Sequence, residues 1–148
     1  MINDIVFICI GTNKVIGDSL GPLVGTYLKV LYHNIKVYGD IKQNIDYNNI
    51  NKVINFVNVK YKNHTKVLID SALGNNVGDI VLYSGSISLG KGIGKEKNIY
   101  GDIIIKAVVG RNYNSTKKNF YELKKRNFEE INSIARNVID LIPSIINV

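Results

Sequence analysis

The chain has 148 residues, of which 45% are hydrophobic and 21% charged, and its formal net charge is +7. This length suits one domain, and this composition argues against a largely disordered chain and against any need for a core held by disulfides or metal. No apolar run approaches the ~20 residues that cross a bilayer, and no basic segment precedes the first apolar run, so we expect a cytosolic protein without a signal peptide or membrane partner.

The first predicted elements are a buried strand over residues 5–10 and a helix within residues 17–31. Residues 5–10 form a continuous apolar run that ends at Gly11, which is typical of a central strand covered on both faces. Apolar residues then recur every three or four positions through the second segment, as on one face of a helix. Asp18 or Ser19 is expected to cap this helix.

The later elements continue the alternation of strands and helices. They are a strand at 35–38, a helix at about 53–59 whose β-branched residues also suit a strand, a strand at 66–69 ending at Asp70 and Ser71, strands at 79–83 and 102–109, a Gly- and Ser-rich loop at 85–94, and a helix at 128–142 ended by Pro143. This order predicts one α/β domain over residues 1–148, a mostly parallel sheet with helices on both faces.

Two carboxylates follow predicted strands, Asp18 in the loop after the first and Asp70 at the end of the third. Ligands in open α/β sheets bind beyond the carboxyl ends of the strands, so both side chains face one crevice if these strands are neighbours. Two carboxyl groups in a partly dehydrated cleft do not both ionise readily, and one keeps a proton near neutral pH. The ionised group can then take a proton from water while the other donates to a carbonyl oxygen. A helix cap for Asp18 and a turn residue for Asp70 are the simple alternatives.

Glycines and hydroxyls near these carboxylates are candidates for binding a substrate. They are Gly11, Thr12, Ser19 and Ser71 in the two strand-end loops, and Ser86, Gly90 and Gly92 in the Gly- and Ser-rich loop. Glycines let backbone approach a bound chain, and the second loop could add backbone hydrogen bonds to an extended peptide. The alternatives are hydroxyls that cap or turn the backbone, and a surface loop without a binding role.

Several stretches of the sequence resemble the YyaC family of sporulation proteins. They are CIGT at 9–12, GDSLGPLVG at 17–25, IDSALG at 69–74, GDI at 78–80 and the loop at 90–94. The similarity covers about residues 5–110. This family in turn resembles the spore germination protease and, more distantly, the hydrogenase maturation endopeptidases. The resemblance implies a phosphorylase/hydrolase-like fold and a protein or peptide substrate in the cytosol of the sporulating cell or spore.

The resemblance also implies roles for the two carboxylates. In the germination protease, an Asp in an Asp-Ala-Leu-Gly-Pro stretch and an Asp that ends a later strand are the proposed catalytic pair, and Asp18 and Asp70 match those positions. The maturation endopeptidases surround nickel with a Glu, an Asp and a His from the C-terminal half. Here the only histidines are His33 and His64, both early in the chain, so we expect no metal site and no cofactor.

Other catalytic centres fit the sequence less well. Residues 17–20 spell the GDSL block of a lipase family, but no histidine after His64 could activate Ser19. The loop at 11–17 lacks the Gly-Lys-Ser/Thr ending of a phosphate-binding Walker loop. The single cysteine, Cys9, lies in an apolar run and is expected to be a buried hydrophobic residue rather than a nucleophile.

The basic residues are scattered except for two short clusters, at 117–118 and 124–126. We expect these on a solvated helix face, so nucleic acid is not the expected partner, although Tyr113, Phe120 and Tyr121 lie nearby. The sequence leaves a homo-oligomer open. It predicts a metal-independent endopeptidase with an aspartate pair, and the alternative is a non-catalytic peptide-binding or regulatory protein that keeps the fold.

Overall fold

A five-stranded sheet forms the centre of this computed structural model, which describes residues 4–90 and 95–146. Its strands are β1 (Ile5–Cys9), β2 (Lys36–Tyr38), β3 (Thr65–Gly74), β4 (Ile80–Leu89) and β5 (Lys97–Arg111). Their order across the sheet is β2-β1-β3-β5-β4, and every neighbouring pair is parallel except β4 with β5. The mostly parallel sheet expected from the sequence is confirmed.

Helices cover both faces of this sheet. They are α1 (Leu20–Leu31), α2 (Ile50–Lys60), α3 (Thr116–Lys124) and α4 (Phe128–Ile146), together with a short 3₁₀ helix (Ile16–Asp18). α1 and α4 pack on one face and α2 on the other, while α3 follows β5 and contacts the 3₁₀ helix. The predicted single α/β domain is therefore confirmed. Among the described residues, no helix is both long and apolar enough to cross a membrane.

The central strand β1 is covered on both sides, as its continuous apolar sequence predicts. Phe7 packs with α1 and α4, Ile8 packs with α2, and both are fully buried. Cys9 lies on the Phe7 side, where burial raises the pKa of its thiol to about 12. Since only a thiolate is a good nucleophile, Cys9 is an unreactive core residue.

Helix α1 lies unusually close to the sheet at Gly25. A Cβ built there would stand 1.8 Å from the carbonyl oxygen of Gly39, in the loop after β2. Because no side chain fits in that space, glycine lets the helix dock directly against the ends of β1 and β2. The start of α1, and the 3₁₀ helix before it, are thereby held at the carboxyl edge of the sheet.

Strand β3 is longer than the sequence predicts. The expectation that it ends at Asp70 and Ser71 is wrong, because the strand continues to Gly74. Its partner β1 stops opposite Ile69, but β5 continues alongside and pairs with Asp70 through Gly74. Asp70 is therefore a residue within a strand, at the point where one of its two neighbouring strands has ended.

The segment expected as a Gly- and Ser-rich loop at 85–94 is mostly part of a long hairpin. β4 continues to Leu89 and pairs with the first residues of β5, with a shift of register between Tyr83 and Gly85. Beyond this shift, Ile87 and Ile99 are buried in the core on the α2 side of the sheet. The outer half of the hairpin thus lies against the α2 face, because burying these two isoleucines favours strand pairing over a solvated loop.

Helix α4 also passes its predicted end. We expected Pro143 to follow the helix, but the helix runs on to Ile146 with Pro143 inside it. Pro143 is exposed, so the backbone hydrogen bond that proline cannot make is lost where water can replace it. Ile142 and Ile146 are both buried in the same core, and their burial favours continuing the helix.

Candidate active site

The loop after β1 is closed by backbone hydrogen bonds that bring Asp18 back to the strand end. The N–H of Gly11 donates to the carbonyl of Ile45 at 2.8 Å, and the N–H of Thr12 donates to the carbonyl of Asp18 at 2.9 Å. A Cβ at Gly11 would stand 2.2 Å from that Asp18 oxygen, so only glycine permits the approach. The carboxyl of Asp18 is thereby fixed at the carboxyl end of β1.

Asp18 ends the 3₁₀ helix and does not cap α1, so the capping alternative is wrong for this residue. Its Oδ1 accepts a hydrogen bond of 3.3 Å from the hydroxyl of Ser71 on β3. Burial raises the pKa of Asp18 to about 6, and the Ser71 hydrogen bond opposes this rise. The group therefore changes its charge near neutral pH.

Asp70 lies on β3, one residue before Ser71, and is only 7% exposed. Burial raises its pKa to about 7, and the charge of Asp18 adds to the rise. Lys106, its register partner on β5, lowers the pKa. Two carboxyls that influence each other in this way do not both ionise near neutral pH, so one of them holds a proton there.

Asp18 and Asp70 line the same cavity, whose volume is about 290 Å³. Its wall includes three further residues proposed from the sequence to bind substrate, Gly11, Ser71 and Gly90. The structure thus brings the two carboxylates and these candidates to one place, at the carboxyl end of β1 where ligands bind in open α/β sheets.

A third carboxylate, Asp46, also lines this cavity and was missed by the sequence analysis. The bridge between Gly11 and Ile45 places it there, and its Oδ1 accepts the N–H of Asn48 in the turn before α2. Its charge contributes to the raised pKa of Asp18. An acidic residue followed by turn-forming asparagines was a visible pattern, but it indicated only the start of a helix.

The far wall of the cavity is the end of the β4–β5 hairpin, held against Tyr47. The Nζ of Lys97 donates to the Tyr47 carbonyl at 2.7 Å and lies 4.0 Å from the centre of its ring. Gly90 has a φ of +77°, and a Cβ there would stand 2.3 Å from the same ring, so the hairpin end requires glycine. Gly92 and the rest of 91–94 lie outside the described residues.

Three other candidate residues are placed differently. The hydroxyl of Thr12 accepts the N–H of Lys14 at 3.2 Å, and the hydroxyl of Ser19 donates to the carbonyl of Ile16 at 2.6 Å. Ser86 is exposed on β4. None of these three belongs to the described cavity wall, and a role for them in binding substrate stays a prediction.

The described residues contain no set of side chains that could bind a metal ion. Within 4–90 and 95–146, no three His, Cys, Asp or Glu side chains come close enough to hold one. His64 packs against the ring of Tyr61, with 5.0 Å between ring centres, and His33 lines a separate surface pocket beside β2. The side chains present at Asp18 and Asp70 therefore do not fit the nickel triad of the maturation endopeptidases.

Comparison with known proteins identifies a family. The model of the family described as "Protein of unknown function (DUF1256)" matches residues 1–141. The uncharacterized protein YyaC of Bacillus subtilis (strain 168) is 35% identical over 108 residues, which make up 71% of this chain and 53% of that protein. The chain thus spans about half the length of this curated relative. The predicted resemblance to YyaC is confirmed.

Two solved structures share the fold. The [NiFe] hydrogenase maturation protease HycI from Thermococcus kodakarensis KOD1 aligns with a TM-score of 0.61 and 18% identity, covering 99% of this chain and 94% of that one. HybD from Thermococcus kodakarensis, also a [NiFe] hydrogenase maturation protease, aligns with a TM-score of 0.56 and 11% identity, covering 95% and 97%. At these identities the likeness shows the fold alone, and it confirms the relation in fold predicted from the sequence.

Proposed function

The chain belongs to the DUF1256 family, and on that premise we propose that it is an endopeptidase-like protein of sporulation that hydrolyses a peptide bond with Asp18 and Asp70 and without a metal. One observation carries the proposal. Two carboxyls line one cavity, and burial raises the pKa of both toward neutrality, to about 6 for Asp18 and about 7 for Asp70. The protease names of the two fold relatives and the resemblance to a family of sporulation proteins support it.

The surroundings of the two carboxyls assign the roles. Asp18 accepts the hydrogen bond of Ser71, which favours its ionised form, and the near-complete burial of Asp70 favours its protonated form, so Asp18 carries the charge and Asp70 carries the proton. Asp18 takes a proton from water, the resulting hydroxide attacks the peptide carbonyl carbon, and Asp70 donates its proton to the carbonyl oxygen. When the tetrahedral intermediate collapses, Asp18 returns its proton to the departing amine and Asp70 recovers its own.

The neighbouring groups fit these roles. The Ser71 hydroxyl stabilises the ionised form of Asp18 and keeps its pKa below that of Asp70. The deeper burial of Asp70 favours the protonated form that an acid needs. We place this activity in the cytosol of the sporulating cell or spore, as expected from the sequence.

The test is a mass-spectrometric cleavage assay on a mixed peptide library from about pH 4 to pH 9. Wild type should give a bell-shaped rate profile whose limbs belong to the coupled pair. Asp18→Asn and Asp70→Asn should each abolish cleavage, whereas Asp79→Asn, at an exposed acid just before β4, should retain it. EDTA should change nothing.

Two results would contradict this mechanism. Cleavage that survives in both Asn variants would move the chemistry to other residues. Activity that is lost on chelation and restored by a divalent metal would make the carboxylates metal ligands.

The second candidate is a non-catalytic peptide-binding or regulatory protein. The observation that favours it is Asp46, because three carboxylates around one cavity can hold a cationic side chain without any turnover. A fluorescent hexapeptide with a central lysine should then bind to wild type without being cleaved. Asp46→Asn should weaken that binding more than Asp79→Asn, and equal affinities would remove this candidate.

A further inference from the structure

The positive charge of the protein is concentrated on one short segment, residues 111–126. It holds six of the nineteen Lys and Arg residues and one of the twelve acidic residues, a net +5 of the formal +7. The segment comprises the end of β5, helix α3 and the two residues after it. Three of these six cations, Lys117, Lys118 and Lys125, line one surface groove.

The single acid of this segment, Glu122, offsets the charge of two of these cations, Lys125 and Arg126. Glu122 is buried, and it is paired with Lys125 at 3.1 Å and with Arg126 at 3.4 Å. It also accepts the backbone N–H of Arg111 at 2.6 Å. Within the described part of the chain Lys117 and Lys118 make no salt bridge, so their ammonium groups are available to an anion.

Aromatic rings stand among these cations. Tyr113 and Tyr121 are 42% and 65% exposed, and together with Lys117, Lys118, Glu122 and Lys125 they line a surface groove of about 490 Å³. We call this the α3 groove. It lies outside the cavity of Asp18 and Asp70, with which it shares no lining residue.

We propose that the α3 groove binds single-stranded nucleic acid. Lysines neutralise phosphates, and exposed aromatic rings stack on unpaired bases whatever their sequence. An acidic protein would use the lysines alone, whereas an unpaired nucleotide uses both the lysines, through its phosphate, and the exposed tyrosine rings, through its base. The pairing of tyrosines with lysines around one groove is what favours a nucleic acid.

The sequence alone did not favour this partner, because the residues of the groove are not all adjacent in the chain. Tyr113 follows β5, and Lys117, Lys118 and Tyr121 belong to α3, so a linear scan separates residues that the fold assembles around one groove. In an isolated helix, two adjacent lysines indicate only a solvated face. The turn between β5 and α3 is held closed by the hydrogen bond of 2.8 Å from Tyr113 N–H to the Asn119 side chain.

The experiment measures binding of a 5′-fluorescein-labelled oligothymidylate of 12 nucleotides by fluorescence anisotropy between 50 and 200 mM NaCl. Lys117→Gln/Lys118→Gln should weaken binding and reduce the slope of log K against log salt by about 1.4, because each phosphate contact to a single strand contributes about 0.7. The matched control is Lys52→Gln/Lys62→Gln, which removes one exposed lysine in α2 and one just after it, and it should leave the slope unchanged.

Substitutions at Tyr121 test the contribution of base stacking to binding separately from that of the lysine charges. Tyr121→Leu should lower affinity about 5- to 100-fold with no change in slope, and Tyr121→Phe, which keeps the ring, should bind like wild type. Absence of binding at 50 mM salt would overturn the proposal. So would equal weakening by both lysine pairs. Competition by polyglutamate as strong as that by the oligonucleotide, with Tyr121→Leu binding normally, would overturn it in favour of an acidic protein partner.

Discussion

Replacing Asp70 by Asn should stabilise the folded protein by an amount that grows with pH. Burial and the charge of Asp18 raise the pKa of Asp70 from 3.8 to about 7. Between these two values the folded protein keeps a proton that the unfolded chain loses. The contribution of this group to stability is therefore fully present below pH 3.8, falls as pH rises, and is lost once pH passes about 7. One pKa unit corresponds to about 1.4 kcal/mol, so the wild type loses about 4 kcal/mol across this window. Asn has nearly the same shape and cannot ionise, and it avoids that loss.

The assay is urea unfolding of wild type and Asp70→Asn at pH 5, 6.5 and 8. The free energy of unfolding should favour the variant by about 2 kcal/mol at pH 5 and about 4 kcal/mol at pH 8. Asp79→Asn, which changes an exposed acid just before β4, serves as the control and should differ from wild type by a small amount at every pH. A gain equal at pH 5 and pH 8, or a loss that grows toward pH 8, would refute the inference that Asp70 is held protonated by burial.

Three further changes test the contacts around the cavity and the docking of α1. Ser71→Ala removes the donor that lowers the pKa of Asp18, so an NMR titration of the carboxyl carbon should give a pKa above the wild-type value of about 6, and a lower one would contradict the hydrogen bond. Lys106→Met removes the cation opposite Asp70 and should raise the pKa of that carboxyl above about 7 in the same titration, whereas no change would mean that the two groups do not interact. Gly25→Ala forces a methyl group to 1.8 Å from a carbonyl oxygen. It should cost about 2 kcal/mol or more and lower Tm by about 4–8 °C, and an unchanged Tm would contradict the close docking of α1.

The central elements were predictable because each carries its own pattern of burial. β1 is buried on both faces, which requires an unbroken apolar run, and α1 buries one stripe at intervals of three and four residues. The second helix was ambiguous because its β-branched residues also suit a strand. In the structure Ile50 and Val57, seven positions apart, are buried on one side of α2, which is the spacing of a helix.

The ends of the later strands could not be predicted from their own residues. Asp70 and Ser71 look like the end of a strand because polar residues usually follow one, yet β3 continues for as long as β5 offers backbone partners. The same holds for the hairpin, where Ile87 is buried only because it pairs with Ile99, twelve positions away. The length of a strand depends on the neighbouring strand with which it pairs, and the local sequence pattern carries no information about that neighbour.

The residues of the candidate site also fall into those that the sequence could predict and those that it could not. Asp18 and Asp70 could be proposed because Asp18 stands in the loop after one apolar run that predicts a strand and Asp70 at the end of another, and both line the cavity. Asp46 could not be proposed, because its position depends on the bridge between Gly11 and Ile45, residues far apart in the sequence. Thr12 and Ser19 stand beside the right residues in sequence, but their hydroxyls bond to the neighbouring backbone.

The position of α4 in chain order has a consequence for the protein while it is being synthesised. The apolar stripe of α4 covers the α1 side of the sheet, and the residues it buries there include Ile131, Val138 and Ile146. All five strands precede α4 in the sequence, so a growing chain completes its sheet before this cover exists. Until the ribosome releases α4, that face exposes apolar surface, which is the state in which nascent chains aggregate or are held by chaperones.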